Sequence, residues 1–346
     1  MALVHFLNVN KSGDGKFNPF PHWPRQRPTQ FAEGQCSIIE HDSGRVTVID
    51  ICNAHRPRTV GTRRYLRLGD RIRPAVNPID YLIARGIRSV HRFILTHPHL
   101  DHMDGIEALF ETHTPEYFWD LEVSAPEPQF GRWGIYGKAD WKFYLALREM
   151  RAKSKSSRLI MAATRGEAME QREWDFLTED GLSFLIPSSK ALSSVDSRQD
   201  LNAQSPPILF RAGRRKVLFG GDLPGSFWGS VVAEYSDELS NVDVLVAPHH
   251  GQFEDFSEDL FRVANPIVTV LGNCGRSMPT WSKLQLMGRY WVVSNIVGSW
   301  TFDTNLSQVQ VEGLSYEGNG RGFRGSLTCP MSDGSNAIGF RHVTGR

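Results

Sequence analysis

The sequence predicts a layered domain of the α/β or α+β class, in which helices cover β-sheets. Two observations predict this class: short apolar runs typical of strands recur along the chain, and helix-like segments separate them. A third observation is the composition, since 346 residues with 40% hydrophobic and 22% charged residues are typical of a globular protein. We therefore expect a folded chain with a sizeable core, and not a disordered, collagen-like or coiled-coil one.

Three strands are predicted in the first part of the chain, at residues 4–9, 36–40 and 46–51. A Pro-rich loop over residues 11–29 separates the first strand from the second. The turn at residues 42–44 contains a glycine and joins the second and third strands as a hairpin.

A short helix, a buried strand and a second helix are predicted next. Asn77 is suited to cap a helix over residues 79–85, and Gly86 is suited to end it. The apolar run at 90–96 is typical of a strand that is buried on both faces, and residues 105–111 are typical of the helix after it.

The middle of the chain carries fewer strand signals. We interpret residues 112–179 as an insertion with one helix near 139–153, within a single domain that spans residues 1–346. Strand-like and helix-like runs alternate after it. The strands are expected at 182–186, 208–211, 217–219, 242–247, 267–271 and, as an edge strand, 306–311, and the helices at 231–239 and 257–264.

Charge and cysteine content exclude several classes of protein. Lys and Arg total 39 against 38 for Asp and Glu, so the formal net charge is +1 and any electrostatic preference is local. No apolar run is long enough to span a bilayer, and the first residues lack the pattern of an export signal. The four cysteines are too few for a disulfide scaffold. We expect a soluble cytoplasmic protein with no membrane partner.

The most informative segment is THPHLDH, which begins at Thr96, where a buried strand ends and a helix has not yet begun. Imidazole nitrogens and carboxylate oxygens are ligands that suit Zn, Mn or Fe. In an extended chain His97 and His99 point to the same side, and the following turn can direct Asp101 and His102 to a second metal. The segment therefore predicts two neighbouring metal sites.

Other strand ends add residues of the same chemistry. Asp222 follows an apolar strand and two glycines, where its carboxylate is placed to bridge two cations. His249 and His250 follow a further apolar strand. Asp50 also ends a strand, where it either positions a metal-binding histidine or caps a turn.

Together, these motifs resemble the metallo-β-lactamase fold, and specifically the branch typified by the hydrolase domain of the DNA-uptake channel ComEC. The resemblance covers much of the chain, and its motifs occur in the order of that branch. They lie at residues 5–9, 34–39, 48–50, 96–105, 180–182, 202–209, 218–223 and 248–251. The resemblance implies a metallo-β-lactamase-like αββα sandwich of two mixed sheets flanked by helices, with the metals at one edge of the sheets.

The same resemblance implies which residues hold two divalent metal ions, Zn or Mn. His97 and His99 would bind the first ion, Asp101 and His102 would bind the second, and Asp222 would lie between the two.

Either His249 or His250 would complete the second metal site. We assign His249 as the ligand and His250 as a catalytic residue that donates a hydrogen bond to the substrate or protonates the leaving group. Asp101 is expected to orient the nucleophile as well. Asp50 and Asn202 are expected to support the ligands.

The first metal site departs from the pattern of the wider superfamily. Members usually have a further histidine between the first motif and the bridging aspartate, whereas this chain has none between His113 and Asp222. The ComEC-like branch also lacks it and has Asn-rich sequence there, similar to residues 200–202. We therefore expect the first ion to be weakly held.

An arginine-rich stretch bears on the substrate class. Residues 56–73 contain seven arginines and the single acid Asp70. Arginine suits bidentate phosphate recognition, although a run of charge can equally coat a solvated surface. The residues assigned to substrate binding are Arg56, Arg58, Arg63 and Arg64.

These observations favour a hydrolase in which a metal-activated water attacks the substrate. The leading hypothesis is a phosphodiesterase or nuclease that acts on nucleic acid or a nucleotide. Two alternatives stay open: a lactone, thioester or amide hydrolase on the same fold, and a non-catalytic module that binds a partner.

Overall fold

The computed structural model describes most of the sheets and the residues around the predicted metal motifs. The described residues are 2–7, 9, 34–54, 76–121, 125–128, 130, 136–153, 159–162, 178–185, 200–272, 280, 283–284, 286–287, 290–293, 300–304, 308–311, 325–329 and 338–342. The predicted Pro-rich loop at 11–29 and the arginine-rich stretch at 56–73 lie outside them.

The described strands form two sheets. In chain order they are β1 (Leu3–Phe6), β2 (Ser37–Glu40), β3 (Val46–Ile49), β4 (Arg92–Ile94), β5 (Tyr117–Leu121), β6 (Leu159–Ala162), β7 (Leu182–Phe184), β8 (Ile208–Ala212), β9 (Arg215–Phe219), β10 (Val244–Val246), β11 (Val268–Leu271), β12 (Tyr290–Val293), β13 (Trp300–Asp303), β14 (Gln308–Val311), β15 (Gly325–Cys329) and β16 (Ile338–His342). The order in the first sheet is β15-β16-β14-β13-β1-β2-β3-β4-β5-β6, and in the second it is β12-β11-β10-β9-β8-β7.

Both sheets are mixed. In the first sheet β3 to β6 run parallel to one another, whereas β1, β2 and β3 pair antiparallel. In the second sheet β9 to β12 are parallel, and β7, β8 and β9 are antiparallel. The carboxyl ends of neighbouring parallel strands lie at one edge of a sheet, which is where ligands bind in sheets of this kind.

The helices supply the outer layers. They are α1 (Pro78–Ala84), α2 (Leu100–Met103), α3 (Ile106–His113), α4 (Lys138–Lys153), α5 (Trp228–Glu234), α6 (Ser236–Leu239) and α7 (Glu258–Ala264). Among the described residues, none of the helices is long and apolar enough to cross a bilayer.

Three apolar clusters define the layers. The first lies between the sheets, where Ile49 and Ile94 of one sheet join Val217 and Val246 of the other. A second cluster packs the outer face of the first sheet against α1, α3 and α4, and a third packs the second sheet against α5 and α7. Residues of β4 and β10 alternate between these clusters, as expected for strands that are buried on both faces. The predicted αββα sandwich of two mixed sheets is therefore confirmed.

The local signals for α1 place its ends correctly. The Asn77 side chain accepts hydrogen bonds from the backbone N–H of Ile79, at 2.8 Å, and of Asp80, at 3.4 Å. Gly86 follows the helix with a φ of 74°, a left-handed conformation that glycine adopts without strain.

The segment 112–179 contains the expected helix as α4. It also contains two strands that were not predicted, β5 and β6, which extend the first sheet beyond β4. The signal of β5 is weak because Asp120 interrupts its apolar run, and this carboxylate is buried where it accepts hydrogen bonds from the Tyr144 hydroxyl, at 3.0 and 3.2 Å.

The expected edge strand at 306–311 also lies elsewhere in the sheet. It is present as β14, but β16 pairs with it on the side away from β13. The sequence analysis predicted no strand after residue 311, where the chain is rich in glycine. The strands β15 and β16 were therefore not expected.

Candidate metal centre

The predicted metal motifs lie just after four strands, two in each sheet. Asp50 follows β3 and His97 follows β4, whose residues are in parallel register. Asp222 follows β9 and His249 follows β10, which are also parallel. The order of the strands therefore brings the polar residues of each sheet to one edge, and the contacts below show that the two edges meet.

Two groups of side chains are close enough to hold metal ions. His97, His99 and Asp222 offer atoms within 4.8 Å of one another, and so do Asp101, His102, Asp222 and His250. Asp222 belongs to both groups, which is the arrangement expected of a carboxylate between two ions. Imidazole and carboxylate donors fit Zn and Mn, so the residues present fit a pair of divalent ions.

The surroundings of Asp222 support this fit. Its Oδ2 atom lies 3.3 Å from His102 Nε2, 3.6 Å from His97 Nε2 and 3.6 Å from His250 Nε2. Within the described part of the chain, Asp222 Oδ1 and His102 Nε2 are buried and have no hydrogen-bond partner. Buried polar atoms are nearly always paired, so these atoms are suited to a cation.

Asp50 fixes the geometry of the first motif. Its carboxylate accepts hydrogen bonds from the backbone N–H and the hydroxyl of Thr96, both at 2.8 Å. It also accepts one from His102 Nδ1, at 2.8 Å, which leaves His102 Nε2 directed at Asp222. Both expected roles of Asp50 thus have a counterpart in its contacts, because it orients a histidine and anchors the turn.

The carboxylates of the centre are held in the ionised state. Burial opposes charge on Asp222, but the imidazoles of His102, His250 and His97 outweigh it and hold the pKa of that carboxyl well below its usual range. Burial alone would lower the pKa of His102, yet Asp222, Asp50 and Asp101 raise it well above its ordinary value. The pKa of His97 is lowered, chiefly by burial. The site therefore favours positive charge next to Asp222.

Two glycines after β9 allow close packing against the loop after β10 and against the segment before β8. A Cβ atom on Gly220 would lie 2.8 Å from the backbone nitrogen of Pro248, and one on Gly221 would lie 2.2 Å from Ser205 Oγ. Ser205 Oγ accepts a hydrogen bond from the backbone N–H of Asp222 at 3.0 Å. The two glycines therefore allow neighbouring loops to approach the chain closely just before Asp222.

His249 and His250 take different positions. The sequence analysis assigned His249 as the ligand and His250 as a catalytic residue. His250 Nε2 lies within the second ligand group, 3.2 Å from Asp101 Oδ2. His249 faces the same centre from its rim, with Nε2 3.8 Å from Asp222 Oδ2 and with Nδ1 hydrogen-bonded to Asp255 Oδ2.

The remaining assigned residues divide into one near the centre and several outside the described residues. Asn202 begins a 3₁₀ turn (Asn202–Gln204), and its Nδ2 lies 3.5 Å from His249 Nε2. The residues that lie outside the described part of the chain are Arg56, Arg58, Arg63 and Arg64.

Asp255 is a site residue that the sequence analysis missed. It ends a short 3₁₀ turn (Phe253–Asp255), and its other oxygen accepts a hydrogen bond from the backbone N–H of Gly225 at 3.1 Å. The carboxylate thus connects His249 to the loop after Asp222. Only its spacing of six residues from His249 could have indicated this contact, and such a spacing is not specific.

The sequence matches no protein-family model and no curated protein. Solved structures with a similar course of the chain include a diphosphatase from the PhnP family. The two chains share 12% identity at a TM-score of 0.41, and the match covers 90% of this chain and 100% of the diphosphatase chain. Zinc-bound PqqB from Methylobacterium extorquens shares 14% identity at a TM-score of 0.40, over 86% and 99% of the two chains. A variant of the CmlA β-hydroxylase shares 13% identity at a TM-score of 0.44, and the match covers 86% of this chain and 53% of the hydroxylase chain.

Proposed function

We propose that this protein is a metal-dependent hydrolase that cleaves phosphodiesters in nucleic acid or a nucleotide. The observation that carries the proposal is the position of Asp222, whose carboxylate is shared by two groups of metal-ligating side chains. His97, His99, Asp101, His102, Asp222 and His250 would hold two divalent ions, which would lower the pKa of a bound water and offset charge on the attacked and leaving oxygens.

The residues of this chain hold and orient the reactants. We assign His97, His99 and Asp222 to one ion, and Asp101, His102, Asp222 and His250 to the other. The sequence analysis gave the ligand role in the second site to His249, and we give it to His250 instead, because His250 Nε2 lies among the ligands. Asp101 is partly open to solvent, with 24% of its side chain exposed, which suits a ligand that also orients the nucleophile.

The described residues on either side of the arginine-rich stretch support a phosphodiester substrate. Asn53 lies just before the stretch, and its backbone N–H donates to Asp104 Oδ2 at 3.0 Å, two residues beyond His102. Its side chain donates to the carbonyl of Val76, at 3.1 Å, just after the stretch. Both ends of the segment that carries seven arginines are thus attached beside the metal motif. Arginines there would bind phosphate oxygens.

We also assign the protein to the ComEC-like branch. The order of its motifs supports this assignment, together with the lack of a histidine between His113 and Asp222. The Asn-rich segment that resembles the branch at this point contains Asn202, whose side chain lies beside His249.

An activity panel tests the proposal. Purified protein loaded with Mn²⁺ or Zn²⁺ is assayed on single-stranded DNA, duplex DNA, RNA, cyclic nucleotides, a lactone and a neutral ester. We expect cleavage of at least one phosphodiester, and loss of it in Asp222→Asn. Turnover of the lactone or ester alone would assign the second class of hydrolase, and fewer than about one bound metal per chain would indicate a binding module.

A matched pair of variants tests the role of the arginines. Replacing Arg56, Arg58, Arg63 and Arg64 with glutamine should raise KM for the cleaved phosphodiester, with kcat less affected. The control replaces Arg211 and Arg214 with glutamine, because they lie on the β8–β9 hairpin, at the end of β9 away from Asp222. An equal effect of both sets would argue against a local phosphate site.

A further inference from the structure

The first metal site has fewer ligands of its own than the second. Because Asp222 is shared, the first group adds only His97 and His99, whereas the second adds Asp101, His102 and His250. Zinc in proteins is usually four-coordinate and tetrahedral, and the first site has three protein ligands when the shared Asp222 is counted. A further donor from this chain would complete the first site.

His249 lies where such a donor is needed. Its Nε2 atom is 3.8 Å from Asp222 Oδ2, the same oxygen that lies 3.6 Å from His97 Nε2. Asn202 Nδ2 lies 3.5 Å from it, which is a long contact for a hydrogen bond. Among the described residues, the Nε2 atom therefore faces the centre without a short hydrogen bond.

The hydrogen bond to Asp255 sets the state of the His249 ring. A carboxylate only accepts, so His249 Nδ1 is the donor of this hydrogen bond and Nε2 is the ring nitrogen that faces the centre. His102 has the same arrangement, since its Nδ1 donates to Asp50 and its Nε2 faces Asp222. Metal-binding histidines almost always donate their second ring N–H in this way.

The backbone at this point is held in an uncommon conformation. His249 and His250 have φ values of 47° and 56°, and successive left-handed residues other than glycine cost free energy. The turn is fixed by a hydrogen bond from the His249 backbone N–H to the carbonyl of Gly221, at 2.8 Å. The turn directs the imidazoles of His249 and His250 towards Asp222. In a strand or a helix, two adjacent side chains would point in different directions.

From these contacts we infer that His249, positioned by Asp255, is a fourth protein ligand of the first metal site, alongside His97, His99 and Asp222. The inference rests on the proposed two-metal centre and adds a ligand to it. His249 is not part of the group whose atoms all lie within 4.8 Å of one another. A ligand role requires its ring to lie closer to His97 and His99 than it does in this structure.

Metal content tests the inference apart from catalysis. The full-length chain and its variants are loaded with Co²⁺, freed of excess ion and examined by elemental analysis and by visible absorption. The wild-type chain should hold about two ions. His249→Ala should hold about one, with loss of part of the Co²⁺ spectrum. Asp255→Asn keeps the imidazole and should weaken one site by about 10- to 100-fold.

Glu254→Gln is the matched control, because Glu254 is an exposed carboxylate on the same turn. It should bind both ions as the wild-type chain does. Two ions with an unchanged spectrum in His249→Ala would overturn the inference, as would unchanged affinity at both sites in Asp255→Asn. A wild-type chain that binds two ions but cleaves no phosphodiester would contradict only the proposed function.

Discussion

At the scale of single residues, one carboxylate organises the centre. Asp222 Oδ2 lies within 4 Å of four imidazoles, and one carboxylate oxygen has no described hydrogen-bond partner. A carboxylate in this position is suited to hold two cations together, whereas a neutral carboxamide of the same size is not.

Asp222→Asn should therefore remove both metal binding and activity while the chain still folds. Loss of a residue that only supports a ligand typically costs 10- to 100-fold, so loss of the shared ligand should lower kcat/KM by at least about 100-fold. Elemental analysis, activity and circular dichroism would be measured on the same sample. Global unfolding of both Asp222→Asn and His99→Ala would show instead that these side chains serve the fold.

The residues of the centre were largely predictable from the sequence, for a physical reason. His97, His99, Asp101 and His102 are adjacent in the chain, so their chemistry is visible as one motif. Asp255 was not predictable, because its contact to His249 depends on a turn whose three residues carry no distinctive pattern. The choice between His249 and His250 also depended on left-handed backbone angles that the sequence does not specify.

At the scale of elements, the loop after β9 and the loop after β10 must pack closely for the centre to form. The Cβ of an alanine at position 220 would lie 2.8 Å from the Pro248 nitrogen and 2.9 Å from the carbonyl oxygen of Val246. Backbone atoms cannot move aside as the end of a side chain can.

Gly220→Ala should separate these loops, destabilise the protein by about 1–3 kcal/mol and weaken metal binding. Denaturant unfolding measures the first effect, and titration with Mn²⁺ measures the second. Gly229→Ala is the control, because nothing lies within 4 Å of its added Cβ on α5. Wild-type stability and metal affinity in Gly220→Ala would show that the approach of the two loops does not matter.

The elements were predictable to different degrees. The helix α1 was placed by its cap residues, and the strands around the centre by their uninterrupted apolar runs. The strand β5 was missed because its buried Asp120 is satisfied by Tyr144, a residue of α4 that lies 24 positions away. A charged residue within a short apolar run favours the prediction of a loop, unless its hydrogen-bond partner elsewhere in the chain is known.

His41 connects the two sheets and should make their association sensitive to pH. It follows β2 in the first sheet, and its ring meets that of Phe210 in β8 edge-on, with centroids 5.4 Å apart. Its Nε2 bonds Thr47 Oγ1 at 2.7 Å. Burial lowers the pKa of His41 to about 4, against an ordinary value of 6.5.

The stability that depends on a neutral His41 is complete above pH 6.5 and is lost as the pH falls towards 4, because the unfolded chain takes up the proton first. A shift of this size corresponds to about 3 kcal/mol. We expect His41→Gln to lose less stability than the wild-type chain between pH 7 and pH 4, as measured by urea unfolding at each pH. Parallel curves for the two proteins would contradict this role of His41.

At the scale of the whole molecule, the metal centre joins the two sheets. The loop after β4 in the first sheet supplies His97, His99, Asp101 and His102, and the second sheet supplies Asp222 and His250. Across the two sheets, His97 and His102 of the first lie 3.6 and 3.3 Å from Oδ2 of Asp222 in the second. Metal ions should bind strongly only to the folded chain, because the ligand residues of the two sheets are not held together in the unfolded chain.

Removal of metal should therefore lower the thermal stability of the whole molecule. An ion present at 100 times its Kd stabilises the folded state by about 2.7 kcal/mol, so a loaded centre should raise the unfolding temperature measurably above that of the chelated protein. Calorimetry of the wild-type chain with Mn²⁺ and with EDTA measures this difference. Asp222→Asn provides the control, because its unfolding temperature should be the same in both conditions. A wild-type chain that unfolds at one temperature with and without metal would show that the ions do not link the sheets.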